Sequence, residues 1–194
     1  MPKETTITPL ENTTALILAG GAGTRVGGRD KGLIEWRGKR LVQQVCERIA
    51  PQVGGLLISC NRHREQYANF SPLAPADLRE DFQGPLAGLE AAQAHLSSDL
   101  VLLAPCDAPL LPLDLAQRLN AELQRNGRLN VVYATTGNDG HYLCALLRRS
   151  VLQGLPAYLD AGNRSVHRWY AGLGAGTVSF DDQPESFLNL NQIS

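Results

Sequence analysis

The chain has 194 residues, and its 18 basic side chains nearly balance 19 acidic ones. A near-neutral chain creates no overall field that favours nucleic acid or a membrane surface, so neither is expected as a partner. The length suits one domain with a sizeable core. Four widely spaced cysteines without a CxxC pair indicate neither a zinc site nor a disulfide framework.

The first residues of the chain show no targeting signal. Residues 1–13 are polar, contain two prolines and lack the apolar stretch of a signal peptide. No apolar run approaches the roughly 18 residues of a membrane-spanning helix. We therefore predict a cytoplasmic protein in which a short extension, 1–13, precedes a single domain, 14–194.

The first predicted strand, residues 16–18, leads into a glycine-rich loop with two cations. Its key residues are Gly20, Gly21, Gly23, Arg25 and Lys31. The glycines leave backbone N–H groups open to a phosphate. Loop cations are often only solvated, but a triphosphate needs more neutralisation than backbone amides supply. The segment therefore predicts a polyphosphate-binding loop.

Two common glycine loops do not fit this segment. A Walker A loop requires Gly-Lys-Ser/Thr, whereas Gly27 is followed by Gly28 and Lys31 by Gly32. The dinucleotide fingerprint requires a third glycine where Val26 stands. The loop is therefore of a third kind.

The rest of the chain alternates apolar strand-like runs with helical periodicity. Strands are predicted at 56–60, 100–104, 130–134, 142–147 and 177–180, with 142–147 paired as a hairpin. Helices are predicted at 40–49, 63–70, 84–96, 112–124, 149–158 and 165–170. This alternation indicates βαβ units and a mostly parallel α/β sheet.

Asp107 is the strongest candidate for a catalytic or metal-binding residue. Ligands of parallel sheets bind beyond the carboxyl ends of the strands, and Asp107 follows the run 100–104 between two prolines. This rigid position suits a Mg²⁺ ligand that bridges phosphate oxygens. The alternative role, a cap for the next helix, is better filled by Asp114.

Asp77 and Asn61 are candidates for nucleoside recognition. A carboxylate accepts both N1–H and N2–H of guanine, so Asp77 suits guanine selectivity, although an aspartate in a loop is often only a turn residue. Asn61 lies at a predicted strand end, where it either caps a helix or contacts ribose or base. The sequence leaves both alternatives open.

Taken in order, LAGGAGTRVGGRDKG, NRH, Asp77, GPLAG, PCDAP and the terminal FLNLN resemble the bacterial molybdenum cofactor guanylyltransferases. The resemblance spans nearly the whole chain. It implies a three-layer, Rossmann-like nucleotidyltransferase fold with helices on both faces of the sheet. It also implies a nucleotide-binding half at about 14–110 and an acceptor-binding half at about 111–194.

The resemblance implies a role for each matching residue. Leu18, Ala19 and Gly20 would contact GTP through backbone groups, with Gly21 and Gly23 in the same nucleotide-binding loop. Lys31 would bind the phosphates, Asn61 and Asp77 the nucleoside, and Asp107 the Mg²⁺ cofactor, while Arg25 would stabilise developing charge. Asn189 and Asn191 match the family's terminal Asn-x-Asn and would contact the acceptor. One departure is Tyr142, which replaces the proline usual after the histidine at 141.

The implied reaction is GMP transfer from GTP to the terminal phosphate of molybdenum-loaded molybdopterin, with release of pyrophosphate. Proteins that insert molybdenum or mature molybdoenzymes are the implied protein partners. Two rivals stay open: a cytidylyl or sugar-phosphate nucleotidyltransferase with the same loop, and a non-catalytic subunit that binds GTP and delivers molybdopterin.

Overall fold

A six-stranded sheet forms the centre of the protein, in a computed structural model that describes residues 8–19, 30–79 and 83–189. In chain order the strands of these ranges are β1 (Leu10–Leu18), β2 (Glu35–Trp36), β3 (Lys39–Arg40), β4 (Val53–Ser59), β5 (Leu100–Pro105), β6 (Val131–Thr136), β7 (Asp139–Arg148) and β8 (Ala175–Ser179). The short strands β2 and β3 form a separate antiparallel pair.

The order of the large sheet is β4-β1-β5-β7-β6-β8. Strand β1 is parallel to β4 and β5, and β6 is parallel to β8. Strand β7 is antiparallel to both of its neighbours. The predicted mostly parallel sheet is confirmed, and so is the hairpin, in which β6 leads directly into β7.

The helices are α1 (Leu41–Ile49), α2 (Arg64–Tyr67), α3 (Pro85–Ala92), α4 (Leu115–Arg125), α5 (Leu155–Asp160) and α6 (Val166–Ala171). Several are shorter than predicted: α2 is a single turn, α3 ends at Ala92 and continues as the 3₁₀ turn Gln93–His95, α4 begins at Leu115 rather than at 112, and the run 149–158 begins as the 3₁₀ turn Arg149–Gly154 before α5. Helix α3 begins where the GPLAG motif predicts, because Gly84 adopts a φ of 84° and Pro85 occupies the first helical turn. None of the helices in the described ranges combines the length and apolarity that a membrane crossing requires.

Helices cover both faces of the sheet, as the alternating side chains of β1 demand. Ala15 and Ile17 pack in one buried cluster with side chains of α1 and α4, such as Val45 and Leu119. Leu16 and Leu18 face the opposite side and pack with side chains of α3, α5 and α6. Since both faces are buried over residues 15–18, this part of β1 is a continuous apolar run rather than an alternating one.

The start of α4 differs from the prediction in its capping bond. Asp114 occupies the N-cap position, but its carboxylate makes no capping hydrogen bond. The buried Gln52, just before β4, accepts a hydrogen bond from Ala116 N (2.9 Å) and donates one to Pro112 O (2.8 Å). A side chain distant in sequence thus caps the helix, which local spacing cannot reveal.

Candidate active site

The carboxyl ends of β4, β1 and β5 meet at one edge of the sheet. Ala19 N donates to Ser59 O (2.8 Å), and Cys106 N donates to Leu18 O (3.2 Å). The buried Leu18 and Ala19 therefore lie between the segments that follow β4 and β5. Among the predicted site residues, Gly20, Gly21, Gly23, Arg25 and Asn191 lie outside the described residues.

The chain brings Lys31 and Asp107 together across 76 residues of sequence. Lys31 opens the 3₁₀ turn Lys31–Leu33, and Asp107 follows β5. Lys31 Nζ lies 3.1 Å from Asp107 Oδ2, and the two side chains are 26% and 16% exposed. A cation and a carboxylate thus sit at the sheet edge where a ligand can still reach both.

The donor set at this edge suits a metal that arrives with its substrate. Among residues 8–19, 30–79 and 83–189, no group of three or more His, Cys, Asp or Glu side chains is arranged to hold a metal. Mg²⁺ typically takes one or two protein carboxylates and completes its shell with phosphate oxygens and water. The single carboxylate of Asp107 fits that mode of binding.

Asn61 and Asp77 form a reciprocal pair beyond β4. Asn61 Nδ2 donates to Asp77 Oδ2 (2.7 Å), and Asp77 N donates to Asn61 Oδ1 (2.9 Å). The side chain of Asn61 therefore orients the carboxylate of Asp77. Sequence reasoning placed both residues in one site but did not foresee this contact, because their pairing depends on the path of the chain between them.

Helix α3 closes against the same pair through Gly88. A Cβ at Gly88 would overlap Ser59 Oγ and lie 3.6 Å from Asp77 Oδ1. The helix therefore approaches the strand end as closely as a glycine allows. Burial raises the pKa of Asp77 above its ordinary value; the hydrogen bond from Asn61 opposes this effect, and the nearby charge of Glu90 adds to it.

A cavity of about 530 Å³ adjoins Asp107. Asp107 and Ala108, which follow β5, line it together with Asn189 near the end of the described chain. Its remaining lining combines aromatic, imidazole and small side chains with two prolines. These residues are Pro85, Pro105, Gly140, His141, Tyr142, Leu143, Cys144, Ser165, Val166, His167 and Phe187.

A bulge in β7 builds one wall of this cavity. Tyr133 pairs with Ala145, but the next residue, Ala134, pairs with His141. Residues 142–144 are therefore extra on β7, and all three line the cavity. Bulges commonly re-aim side chains beside active sites. Sequence reasoning missed this wall, because a bulge is set by the register between two strands.

His141 also lines the cavity, held by two neighbours. Its Nε2 shares a hydrogen bond of 2.7 Å with Thr136 Oγ1, and its ring stacks on Phe187 with centroids 4.4 Å apart. Burial lowers the pKa of His141, so the imidazole is neutral near pH 7.

Residues 15–175 match the model of the MobA-like NTP transferase domain. The molybdenum cofactor guanylyltransferase of Shewanella sp. strain MR-4 is 41% identical over 177 residues, which cover 91% of this chain and 89% of the relative. The enzyme of the same name from Polynucleobacter asymbioticus is 41% identical over 185 residues, with 93% and 92% coverage.

Solved structures share the fold at lower identity. The molybdopterin-guanine dinucleotide biosynthesis protein A of Archaeoglobus fulgidus has a TM-score of 0.74 at 21% identity, with 93% of each chain covered. The 2-C-methyl-D-erythritol 4-phosphate cytidylyltransferase of Thermus thermophilus has a TM-score of 0.70 at 12% identity, with 94% and 93% covered. These likenesses establish the nucleotidyltransferase fold.

Proposed function

The chain belongs to the family of the MobA-like NTP transferase domain, and from that membership we propose that it is a molybdenum cofactor guanylyltransferase. It transfers GMP from GTP to the terminal phosphate of molybdenum-loaded molybdopterin. An oxygen of the acceptor phosphate forms a bond to the α-phosphorus of GTP. The bond from the α-phosphorus to the bridging oxygen breaks, and pyrophosphate leaves with the electron pair. The product is the guanine dinucleotide form of the cofactor.

The pairing of Lys31 with Asp107 is the observation that carries this proposal. The acceptor phosphate is already an anion at neutral pH, so the reaction needs no side chain activated as a nucleophile or base. Positioning and charge neutralisation are then the main sources of rate. Lys31 neutralises the phosphates of GTP at the sheet edge, and Arg25 adds a second cation from the glycine-rich segment.

Asp107 is the residue that would hold Mg²⁺ between the protein and the triphosphate. The metal would supply further neutralisation of the phosphate charge. In the protein as described, Lys31 occupies one oxygen of this carboxylate (3.1 Å). Lys31 and Asp107 are therefore placed to act together on one triphosphate, Lys31 through its charge and Asp107 through the metal that it would hold.

Asp77 selects guanine in this scheme. Its carboxylate is the group able to accept N1–H and N2–H, hydrogens that adenine and the pyrimidines do not present together. Asn61 Nδ2 donates to Asp77 Oδ2 (2.7 Å) and so helps to fix the orientation of the carboxylate that accepts the guanine hydrogens. A direct contact of Asn61 with the nucleoside stays a prediction.

Molybdopterin occupies the cavity of about 530 Å³ next to Asp107. The cavity reaches from Asp107 to Asn189, so a bound acceptor can direct its phosphate towards GTP. Asn189 and Asn191 are the proposed polar contacts. We also propose the cytoplasm as the compartment, because four thiols without a disulfide suit a reducing environment.

A donor screen tests the proposal. Purified protein is incubated with molybdopterin, Mg²⁺ and one of GTP, CTP or ATP, and pyrophosphate release is measured. Efficient release with GTP and little with the others is the expected result. Equal use of CTP would remove the guanine assignment, and GTP binding without pyrophosphate release would favour the non-catalytic subunit.

A further inference from the structure

The carboxylate of Asp30, immediately before Lys31, is buried within the protein rather than directed to a ligand. Its side chain is 8% exposed. Oδ1 accepts a hydrogen bond from the hydroxyl of Tyr67, and Oδ2 lies 3.2 Å from Nδ1 of His63. Both oxygens are therefore engaged by protein groups, which leaves Asp30 unsuited to bind phosphate or metal itself.

Tyr67 also contacts the turn that carries Lys31. The tyrosine is fully buried at the end of α2. A Cβ at Gly32 would come within 2.5 Å of the Tyr67 hydroxyl and 3.2 Å of Cys106 Sγ. At Gly32, the turn Lys31–Leu33 thus packs closely against both Tyr67 and Cys106, the residue that precedes Asp107. Tyr67 constrains the chain on both sides of Lys31.

His63 approaches Asp30 from an uncommon backbone conformation. Its φ and ψ are 50° and 34°, in the left-handed region that few residues other than glycine adopt. Its carbonyl accepts hydrogen bonds from Gln66 N and Tyr67 N, and these bonds form the single turn of α2. A non-glycine residue stays in this left-handed conformation only where contacts with the rest of the protein offset the strain. The Asp30 carboxylate provides one such contact, because it lies 3.2 Å from Nδ1 of the His63 ring.

We propose that Asp30 is the positioning residue of Lys31. Tyr67 and His63 hold its carboxylate, and this anchor fixes the backbone from which Lys31 reaches the triphosphate beside Asp107. The inference rests on the proposed function for the identity of the ligand. It assigns to three residues a role in phosphate binding that they perform without touching phosphate.

A double-mutant cycle separates positioning from simple stability. Tyr67→Phe keeps the ring and removes the hydroxyl that holds Asp30. We expect GTP affinity, measured by titration calorimetry, to fall about tenfold or more, since small misplacements of a binding group are costly. Guanosine, which has no phosphate, should bind both proteins equally. In a Lys31→Met background, Tyr67→Phe should cause no further loss, because the group it positions is gone.

A second variant and a control complete the design. The cycle is repeated with His63→Asn, which removes the contact of the imidazole with Asp30. The side chain of His63 is half-exposed, and asparagine tolerates a positive φ, so the variant should fold. Thr14→Val is the control: Thr14 lies in the middle of β1, and its buried hydroxyl hydrogen-bonds Ser98 ahead of β5 (2.8 Å), so its loss should leave GTP affinity unchanged.

The outcomes distinguish the inference from the proposed function. Equal losses of GTP affinity with and without Lys31, or equal losses of GTP and guanosine binding, would overturn the positioning role. Unchanged GTP binding in Tyr67→Phe and His63→Asn would do the same. If the wild-type protein binds GTP but releases no pyrophosphate with molybdopterin, the proposed function fails, and the binding cycle still decides the role of Asp30.

Discussion

Asp107 is the proposed Mg²⁺ ligand, so its substitution is the most direct test of turnover at the scale of single residues. In Asp107→Asn, we expect the rate of pyrophosphate release to fall by about 100-fold or more, because the variant would lose the carboxylate proposed to hold Mg²⁺ and, with it, several kcal/mol of charge stabilisation. The thermal unfolding temperature should change little, since the side chain is at the sheet edge. Glu47→Gln is the control: Glu47 also pairs with a lysine, Lys39 at 2.7 Å, but lies exposed on α1. A fully active Asp107→Asn protein would remove this residue from the site.

If Asp77 binds guanine as proposed, GTP binding should depend on pH. Burial raises the pKa of Asp77. Its carboxylate therefore protonates at a higher pH than that of an ordinary aspartate, whose pKa is about 3.9. The protonated form accepts guanine N–H groups poorly, and GTP affinity should therefore weaken as pH falls through this raised pKa. Titration calorimetry across pH measures the effect.

The matched variant for this prediction is Asp77→Asn. It should bind GTP about 100-fold more weakly at neutral pH, because the contact of a carboxylate with guanine N1–H and N2–H is lost. Its remaining affinity should not fall further at acid pH, so the acid limb of the pH profile should be missing. An acid limb of the same size in Asp77→Asn would assign the titration to another group.

Single residues differ in how far the sequence alone predicts them. The position of Asp107 beyond a strand end was predictable, because a buried strand followed by a rigid turn is a local pattern; its role stays a prediction. The contact of Asn61 with Asp77 was not, since it joins two segments 16 residues apart along an irregular path. The burial of Asp30 was equally hidden, because its partners Tyr67 and His63 come from a separate element.

At the scale of elements, the fit of α3 against β4 depends on Gly88. Alanine normally favours a helix over glycine by about 1 kcal/mol, but a methyl group at this position would overlap Ser59 Oγ. Overpacking costs about 1–3 kcal/mol. We therefore expect Gly88→Ala to lower the free energy of unfolding in urea and to weaken GTP binding, because the displaced helix disturbs Asp77.

Gly154→Ala provides the comparison. A Cβ at Gly154 meets no atom within 4 Å, and its φ of −86° suits any residue. This variant should be neutral or slightly more stable. Ser59→Ala combined with Gly88→Ala should recover part of the loss. Equal behaviour of the two glycine variants would contradict the close approach of α3.

Elements were predicted well where the apolar period is long and poorly where it is short. Helix α1 was correct because five buried positions repeat over nine residues. Helix α2 was predicted too long, since the run 63–70 contains one buried position, Tyr67, in its helical part. Strand β7 begins at Asp139, before the predicted 142, because its polar first residues are held by pairing with β6 rather than by burial.

Across the whole molecule, all four thiols lie inside the fold. Cys46, Cys60, Cys106 and Cys144 are buried and not disulfide-bonded. Burial raises the pKa of Cys46 and Cys60 to about 11 and raises the pKa of Cys106 and Cys144 as well. Since the thiolate is the reactive form, the native protein should react slowly with Ellman's reagent at neutral pH.

Reaction of the same sample in denaturant is the internal control, because all four cysteines should then be titrated quickly. Added GTP should slow the native reaction further if it stabilises the fold. Rapid modification of the native protein would contradict the burial of these side chains.

The α/β fold as a whole was predictable, because the alternation of strands and helices fixes the layers and the edge at which ligands bind. The reversed direction of β7 is the feature with the widest consequence. Because β7 runs against its neighbours, the beginning of a strand walls the cavity proposed for the pterin, whereas the proposed nucleotide site lies at strand ends. The tight connection at Gly137 (φ 53°) therefore offers a place where loop grafting can reshape acceptor choice while the donor subsite keeps its geometry.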